Sequence, residues 1–181
     1  MLIGITGLHG AGKSYFSNAI PPKFGFKVFS KKQKLAEIYK AKTGREDWIN
    51  WYRNEYEKDP QKITEFMLLG INKNENVILD AIHSPVEWNI IKSHFPNAEL
   101  AEIITPESIR LQRITQVDIE KDKMRIEHWH SGNNCLLSEV GWSFNGAASN
   151  ELNEQSFKEF IEYMILKEKK KKQDKETDLI L

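Results

Sequence analysis

The chain has 181 residues, which suits a single domain with its own hydrophobic core. Lysine plus arginine number 26, as do aspartate plus glutamate, so the zero formal net charge gives no overall electrostatic case for binding nucleic acid or acidic membranes. A single cysteine excludes an internal disulfide and any multi-cysteine metal site. This cysteine usage suits the reducing cytoplasm, where we expect the protein. No apolar run approaches the roughly 18 residues that span a bilayer, so we also expect it to be soluble.

The first fourteen residues join an apolar run to a glycine-rich loop. Leu2 to Ile5 are followed by Gly7, four further residues and then Gly12-Lys13-Ser14, which satisfies the Walker A pattern. In that pattern the backbone N–H groups curl round phosphate oxygens, the lysine contacts the β and γ phosphates, and the serine hydroxyl can ligate Mg²⁺. The pattern therefore predicts a strand, a triphosphate-binding loop and a helix. The predicted ATP contacts here are Gly7, His9, Gly10, Ala11, Gly12, Lys13, Ser14 and Tyr15.

The next part of the chain predicts two more strands separated by helices. A helix over residues 15–20 ends at Pro21-Pro22, and residues 24–29 then form a second strand. Residues 31–75 show helical apolar faces and no strand, which predicts a helical insertion. Residues 77–80 form a third, buried strand that ends in Asp80. Ligands collect at the carboxyl ends of parallel strands, so Asp80 is expected to organise Mg²⁺ or an acceptor hydroxyl.

The second half of the chain continues the alternation. We predict an N-capped helix over residues 85–94, a strand over 100–104, and a helix opened by Pro106 that carries Arg110 and Arg113. A cationic segment follows, then a weak strand over 140–144 and an amphipathic helix over 152–166. Residues 167–181 are mostly charged and predict a flexible tail in solvent, with polyanion binding as the alternative.

These elements predict a three-layer α/β fold of the P-loop NTPase type, with five parallel strands in the order 2-3-1-4-5 and helices on both faces. Its parts would be a domain over residues 1–166, the insertion over 31–75, a short lid-like segment over 114–130, and the tail. The layout suits phosphoryl transfer, which asks mainly for positioning and positive charge. The predicted catalytic residues are Lys13, Asp80, Arg113 and Arg125, and Ser14 and Asp80 are the predicted Mg²⁺ ligands.

Over residues 1–165 the chain resembles the nucleoside monophosphate kinase superfamily, and in particular its adenylate-kinase-related and dephospho-coenzyme A kinase branch. The resemblance rests on the loop, on residues 80–87 (DAIHSPVE), on residues 105–113 (TPESIRLQR), and on residues 144–146 (FNG). It implies ATP- and Mg²⁺-dependent phosphorylation of a nucleotide or nucleotide-like acceptor. By this resemblance Arg110, Asn145 and Gly146 join the ATP contacts, and Lys34, Arg53 and His83 are acceptor-site candidates.

The chain departs from that family's pattern at three positions. Lys31 stands where an acid is common, His83 takes the place of an arginine, and Val117 replaces a second lid arginine, whose role Arg125 is expected to fill. Two alternatives therefore stay open beside a nucleotide kinase. One is a dephospho-coenzyme A kinase, which needs a base near a ribose hydroxyl, and the other is a nucleotide-binding regulator with little turnover. Nucleic-acid binding has no support beyond the lysine-rich tail.

Overall fold

The structure, a computed structural model, describes residues 1–130 and 135–178. Its five strands are β1 (Leu2–Thr6), β2 (Lys27–Ser30), β3 (Val77–Asp80), β4 (Glu99–Ile104) and β5 (Val140–Asn145). All neighbours pair in parallel, and the order β2-β3-β1-β4-β5 confirms the predicted sheet. The carboxyl ends of β1, β2 and β3 meet at one edge, where Asp80 pairs with Ile5 on one side and Ser30 on the other.

Eight helices connect and cover these strands in the described part of the chain. They are α1 (Lys13–Ala19), α2 (Lys31–Thr43), α3 (Trp48–Lys58), α4 (Pro60–Leu68), α5 (Pro85–His94), α6 (Glu107–Leu111), α7 (Gln116–Trp129) and α8 (Asn150–Asp178). Two short 3₁₀ helices, Pro21–Phe24 and Leu136–Glu139, precede β2 and β5. Helices α2 to α4 occupy the interval between β2 and β3, and α7 occupies most of the segment predicted to be lid-like.

The alternation of side chains along β1 divides the core into two layers. Ile3 and Ile5 pack with Phe16 of α1 and with Phe157 and Phe160 of α8 on one face. The opposite face carries a second apolar cluster that includes Leu2, Leu79, Trp88, Ile91 and Leu100. Gly4 faces this second cluster, where a Cβ atom would lie only 2.9 Å from the Trp88 ring. Strand β1 is therefore buried on both faces, as expected for the central strand of a parallel sheet covered by helices on both sides.

The predicted boundaries were wrong at several places, including α6, which ends at Leu111 and so does not carry Arg113 as predicted. The second strand begins at Lys27, because Pro21–Phe24 forms a 3₁₀ turn that closes on Gly25 at φ 79°, a conformation glycine adopts without strain. The segment after residue 166 is not irregular, since α8 continues to Asp178. No glycine or proline interrupts this stretch, and Lys167 is anchored to Glu99 at 2.7 Å. The last three residues of the predicted tail lie outside the described residues, and within those residues no helix has the length and apolarity to cross a membrane.

Candidate active site

The glycine-rich loop connects β1 to α1 at the carboxyl edge of the sheet. Gly7 and Gly12 have φ values of 137° and 94°, which other residues rarely adopt, so the loop can curl only because glycines stand there. The Thr105 hydroxyl donates to the Ala11 carbonyl at 2.8 Å and fixes the middle of the loop from β4. Helix α1 begins at Lys13, which leaves the first N–H groups of the helix open toward an anion.

Lys13 lies within this loop and has no carboxylate partner at ion-pair distance among the described residues. Its ammonium group donates to the carbonyl oxygens of Gly7 at 2.9 Å and Leu8 at 2.7 Å. Burial, followed by the positive charge of Arg125, lowers the pKa of Lys13 to about 8. Burial and the nearby Arg125 thus destabilise the protonated form of Lys13, and a bound polyanion would stabilise it again.

Asp80 and Ser14 meet at the same edge of the sheet. The Ser14 hydroxyl donates to the Asp80 carboxylate at 3.0 Å, which brings the end of β3 to the start of α1. A hydroxyl and a carboxylate oxygen beside a phosphate site suit Mg²⁺, which prefers oxygen ligands and takes few from the protein. In the described part of the chain no three His, Cys, Asp or Glu side chains cluster around a possible metal position. The two predicted ligands therefore fit a magnesium ion that shares its coordination with phosphate oxygens.

Two of the three predicted arginines border the cavity beside the loop, and the third does not. Arg113 donates to the carbonyls of Gly10 at 3.3 Å and Gly146 at 3.4 Å, and Arg125 donates to Gly7 at 3.3 Å. Arg110 was expected to contact ATP, but it is buried and forms an ion pair with Asp122. Its pairing with Asp122 directs Arg110 toward α7, and it lines no part of the cavity.

The loop after β5 borders the part of the cavity beside the glycine-rich loop. Gly146 borders the cavity, whereas Asn145 does not: its side-chain oxygen accepts from the Ala147 N–H at 2.9 Å. The Asn145 side chain therefore shapes this turn and, contrary to the prediction, does not border the cavity. Tyr15 borders the cavity from α1 and exchanges a hydrogen bond with Asn150.

Gly146→Ala is expected to abolish measurable MgATP binding and to lower the free energy of unfolding by about 1–3 kcal/mol. An added Cβ atom would lie 1.9 Å from the Ala11 carbonyl oxygen and 2.4 Å from the Thr105 hydroxyl, so the phosphate loop would have to move. Calorimetry and thermal unfolding measure both effects. Gly25→Ala is the control: its left-handed φ costs about 1 kcal/mol or more, yet the new Cβ meets nothing within 4 Å, so ATP binding should survive. Normal binding by Gly146→Ala would contradict the geometry.

A cavity of about 1010 Å³ runs from the phosphate loop to helices α2 and α3. Its far compartment is lined by basic and aromatic or apolar side chains together with Ser30 and Ala81; these lining residues are Lys31, Lys32, Leu35, Trp48, Ile49, Tyr52, Arg53 and His83. The structure thus brings the predicted acceptor residues Arg53 and His83 to the same cavity as Lys13. Lys34 points elsewhere: it lies beside Gly70 and 4.0 Å from Glu37, and Lys32 borders the cavity in its stead.

Lys31 is neutralised by a partner that the sequence did not reveal. Its ammonium donates to both carboxylate oxygens of Glu87, at 2.8 and 3.0 Å, and both side chains are almost fully buried. Glu87 also accepts from the His83 N–H at 3.1 Å. Lys31 therefore adds no free positive charge at the position where the resemblance implies an acid; it joins α2 to α5 beside the far compartment.

His83 is neutral at the floor of this compartment. Burial, followed by the charge of Lys31, holds its pKa well below the usual range. Its Nδ1 atom is buried and has no hydrogen-bond partner within the described chain. The histidine thus replaces the charged arginine of the resembling family with an uncharged polar ring.

Neither a protein-family model nor a curated protein matches this sequence. Solved structures do. Shikimate kinase from Bacteroides thetaiotaomicron gives a TM-score of 0.62 at 14% identity, over 90% of this chain and 98% of that one. Shikimate kinase from Aquifex aeolicus gives 0.57 at 17%, over 92% and 99%. The APS kinase of Mycobacterium tuberculosis gives 0.54 at 15%, over 89% and 96%. The chain has the P-loop kinase fold.

These likenesses confirm the predicted fold, as does the strand order of the sheet. Identities this low carry the fold alone, so the dephospho-coenzyme A kinase branch stays a prediction. Sequence reasoning missed several residues at this site, namely Lys32, Trp48, Tyr52, Glu87, Thr105 and Asp122. Trp48 and Tyr52 lie in the predicted helical insertion, whose apolar faces were expected to pack, and nothing in the local pattern marked Asp122.

Proposed function

We propose that this protein transfers the γ-phosphoryl group of ATP, with Mg²⁺, to a nucleotide or nucleotide-like small molecule. The observation that carries the proposal is one continuous cavity that holds Lys13 and the Ser14–Asp80 pair at one end and the cations Lys32 and Arg53 at the other. A donor and an acceptor can therefore lie in line within the same space. The P-loop kinase fold, shared with kinases of several small molecules, supports the same reaction class.

The donor end is built to bind a triphosphate. Open N–H groups of the loop and of α1 would donate to phosphate oxygens. Lys13 and Arg125 lie beside these N–H groups, and both donate to the Gly7 carbonyl in the free protein. On binding, these cations exchange a carbonyl for phosphate oxygens, which accept stronger hydrogen bonds. Arg113 adds charge from the other side of the loop. Magnesium held by Ser14 and Asp80 would neutralise charge on the phosphates.

The acceptor end favours an anion with a planar ring. Lys32 and Arg53 border it and have no ion-pair partner among the described residues, whereas Lys31 is already paired with Glu87. Trp48 and Tyr52 line the same compartment with aromatic surface. A phosphate on the cations and a base on the aromatic side chains would use both features.

The number of carboxylates that line the cavity indicates whether the acceptor is a phosphate or a hydroxyl group. Among the described residues that line it, Asp80 is the only carboxylate, and it already accepts from Ser14. An alcohol acceptor such as the ribose of dephospho-coenzyme A needs a base to take its proton, whereas an ionised phosphate needs none. The single acid therefore favours a monophosphate as the nucleophile over a hydroxyl.

The test is a coupled assay of ADP release with ATP, Mg²⁺ and a panel of acceptors. The panel contains nucleoside monophosphates, dephospho-coenzyme A, shikimate, gluconate and adenosine phosphosulfate. We expect acceptor-dependent ADP release with at least one nucleoside monophosphate. Release with a hydroxyl acceptor alone would overturn the assignment of the nucleophile. ATP binding with no release by any acceptor would overturn the kinase proposal and favour a nucleotide-binding regulator.

The affinity for MgATP is expected to fall as the pH rises above 8. In the free protein Lys13 has a pKa of about 8, and the triphosphate binds the protonated form, so each binding event above this pH must take up a proton. The decline approaches about tenfold per pH unit in the limit. Calorimetry from pH 7.5 to 9.5 measures it, and Lys13→Met should bind more weakly with a flat profile. A wild-type affinity that is constant to pH 9.5 would contradict this role.

A further inference from the structure

A buried carboxylate on α7 joins three parts of the site. Asp122 is 3% exposed and accepts from the His9 backbone N–H at 2.9 Å. Its other close contacts are the His9 ring at 2.7 Å, the Arg110 guanidinium, and the Arg125 guanidinium at 3.7 Å. A carboxylate this deeply buried is stable only when it is paired and hydrogen-bonded. Asp122 therefore links α6 and α7 to the second residue after Gly7 in the phosphate loop.

His9 extends this link to Arg125. A carboxylate only accepts and a guanidinium only donates, so the His9 ring must carry its proton on Nδ1, toward Asp122, and keep Nε2 free to accept. Arg125 lies 3.4 Å from Nε2 and donates from its other terminal nitrogen to the Gly7 carbonyl at 3.3 Å. The chain of contacts from Asp122 through His9 sets the orientation of the Arg125 guanidinium beside Lys13.

Arg110 completes the arrangement. It pairs with Asp122 and also donates to the His9 carbonyl at 3.2 Å, so both backbone polar groups of His9 are held. Asp122 and Arg110 do not border the cavity, whereas His9 and Arg125 do. The buried pair can therefore act on a ligand only through the two residues that it holds.

We infer that Asp122 is a positioning residue for the triphosphate, which fixes His9 of the phosphate loop and Arg125 of α7 in the arrangement that receives ATP. This inference rests on the proposed function of the loop. It assigns a task in nucleotide binding to a residue that never touches the nucleotide. It also assigns a role to His9 in the loop, whose ring contacts Asp122 through Nδ1 and Arg125 through Nε2 and so connects the two side chains.

The test is a double-mutant cycle on MgATP affinity, measured by calorimetry. Asp122→Asn and Arg125→Ala are each expected to weaken binding about tenfold, and the double variant should be no weaker than either single variant. Because the readout is nucleotide binding, it needs no knowledge of the acceptor. Glu120→Gln is the matched control on α7: Glu120 is exposed, pairs only with neighbours on its own helix, and should leave the affinity unchanged.

Two outcomes of the cycle would overturn the inference. One is an Asp122→Asn protein with wild-type affinity, and the other is a double variant whose loss equals the product of the two single losses. A merely structural role for Asp122 predicts the second outcome, because a general loss of stability would not depend on Arg125. Thermal unfolding of each variant verifies that folded protein was measured.

A second measurement needs no folded variant of Asp122. Nitrogen-15 chemical shifts of the imidazole rings in the wild-type protein report the tautomer of each histidine, with His9→Gln used to assign the His9 signal. We expect the Nδ1-protonated tautomer at neutral pH, and the Nε2-protonated tautomer would overturn the arrangement. If wild-type protein bound no MgATP, the proposed function would fail, but the His9 tautomer would still test the contacts between Asp122, His9 and Arg125. If it bound ATP and the cycle were multiplicative, the positioning role alone would fail.

Discussion

Lys13→Ala is expected to lower kcat by roughly a hundred- to a thousandfold and to leave the protein folded. Among the described residues the ammonium group hydrogen-bonds only to loop carbonyls, so its removal deletes no part of the apolar core. What disappears is a positive charge beside the phosphates, whose effect is largest where charge develops in the transition state. Acceptor-dependent ADP release, with thermal unfolding in parallel, measures the two quantities.

Lys23→Ala provides the control for that experiment. Lys23 lies in the turn before β2, forms an exposed ion pair with Glu154, and is remote from the cavity. Its removal should change neither turnover nor folding appreciably, because exposed ion pairs contribute little. Undiminished turnover by folded Lys13→Ala would contradict the assignment of the phosphate loop.

Asp80→Asn is expected to reduce kcat by roughly a hundredfold and to raise the Mg²⁺ concentration needed for half-maximal turnover. The amide keeps the size of the side chain and a hydrogen-bond acceptor for Ser14, but it loses the negative charge that suits a magnesium ligand. A Mg²⁺ titration at fixed ATP measures the shift. An unaltered requirement for Mg²⁺ would mean that Asp80 does not serve the metal.

Without Mg²⁺, Asp80→Asn is expected not to weaken ATP binding, in contrast to its harmful effect on turnover with Mg²⁺. Without Mg²⁺ the Asp80 carboxylate repels the phosphates, and it is the only acid among the described residues that line the cavity. Asp80→Asn should therefore bind ATP in EDTA at least as tightly as the wild-type protein, although it turns over slowly in Mg²⁺. Weaker binding in both conditions would indicate a general disruption of the site.

The architecture was predictable because its signals are local. An apolar run followed by glycines and Gly12-Lys13-Ser14 needs only a few neighbouring residues to specify strand, loop and helix. The same holds for Ser84, whose hydroxyl caps α5 by accepting from the Glu87 N–H, as the sequence predicts. Strand order then follows from right-handed parallel connections, which leave few topologies.

The contacts that sequence reasoning missed join residues far apart in the chain. Lys31 meets Glu87 across 56 residues, and His9 meets Asp122 across 113. Charge at Lys31 was visible, but its neutralisation depends on how α2 packs against α5. Arg110 was assigned to ATP by the resemblance, whereas in the structure it pairs with Asp122, which lies twelve residues further along the chain. The roles of Lys13, Asp80, Arg113 and Arg125 stay predictions, although the structure gathers these side chains at one cavity.

The most direct test of the account is calorimetric titration of the wild-type protein with ATP in the presence of Mg²⁺, beside the same titration of Lys13→Ala. The account predicts saturable heat with one site per chain for the wild-type protein, and strongly reduced affinity for the folded variant. Absence of any binding heat from folded wild-type protein would contradict the claim that the loop between β1 and α1 binds a nucleoside triphosphate.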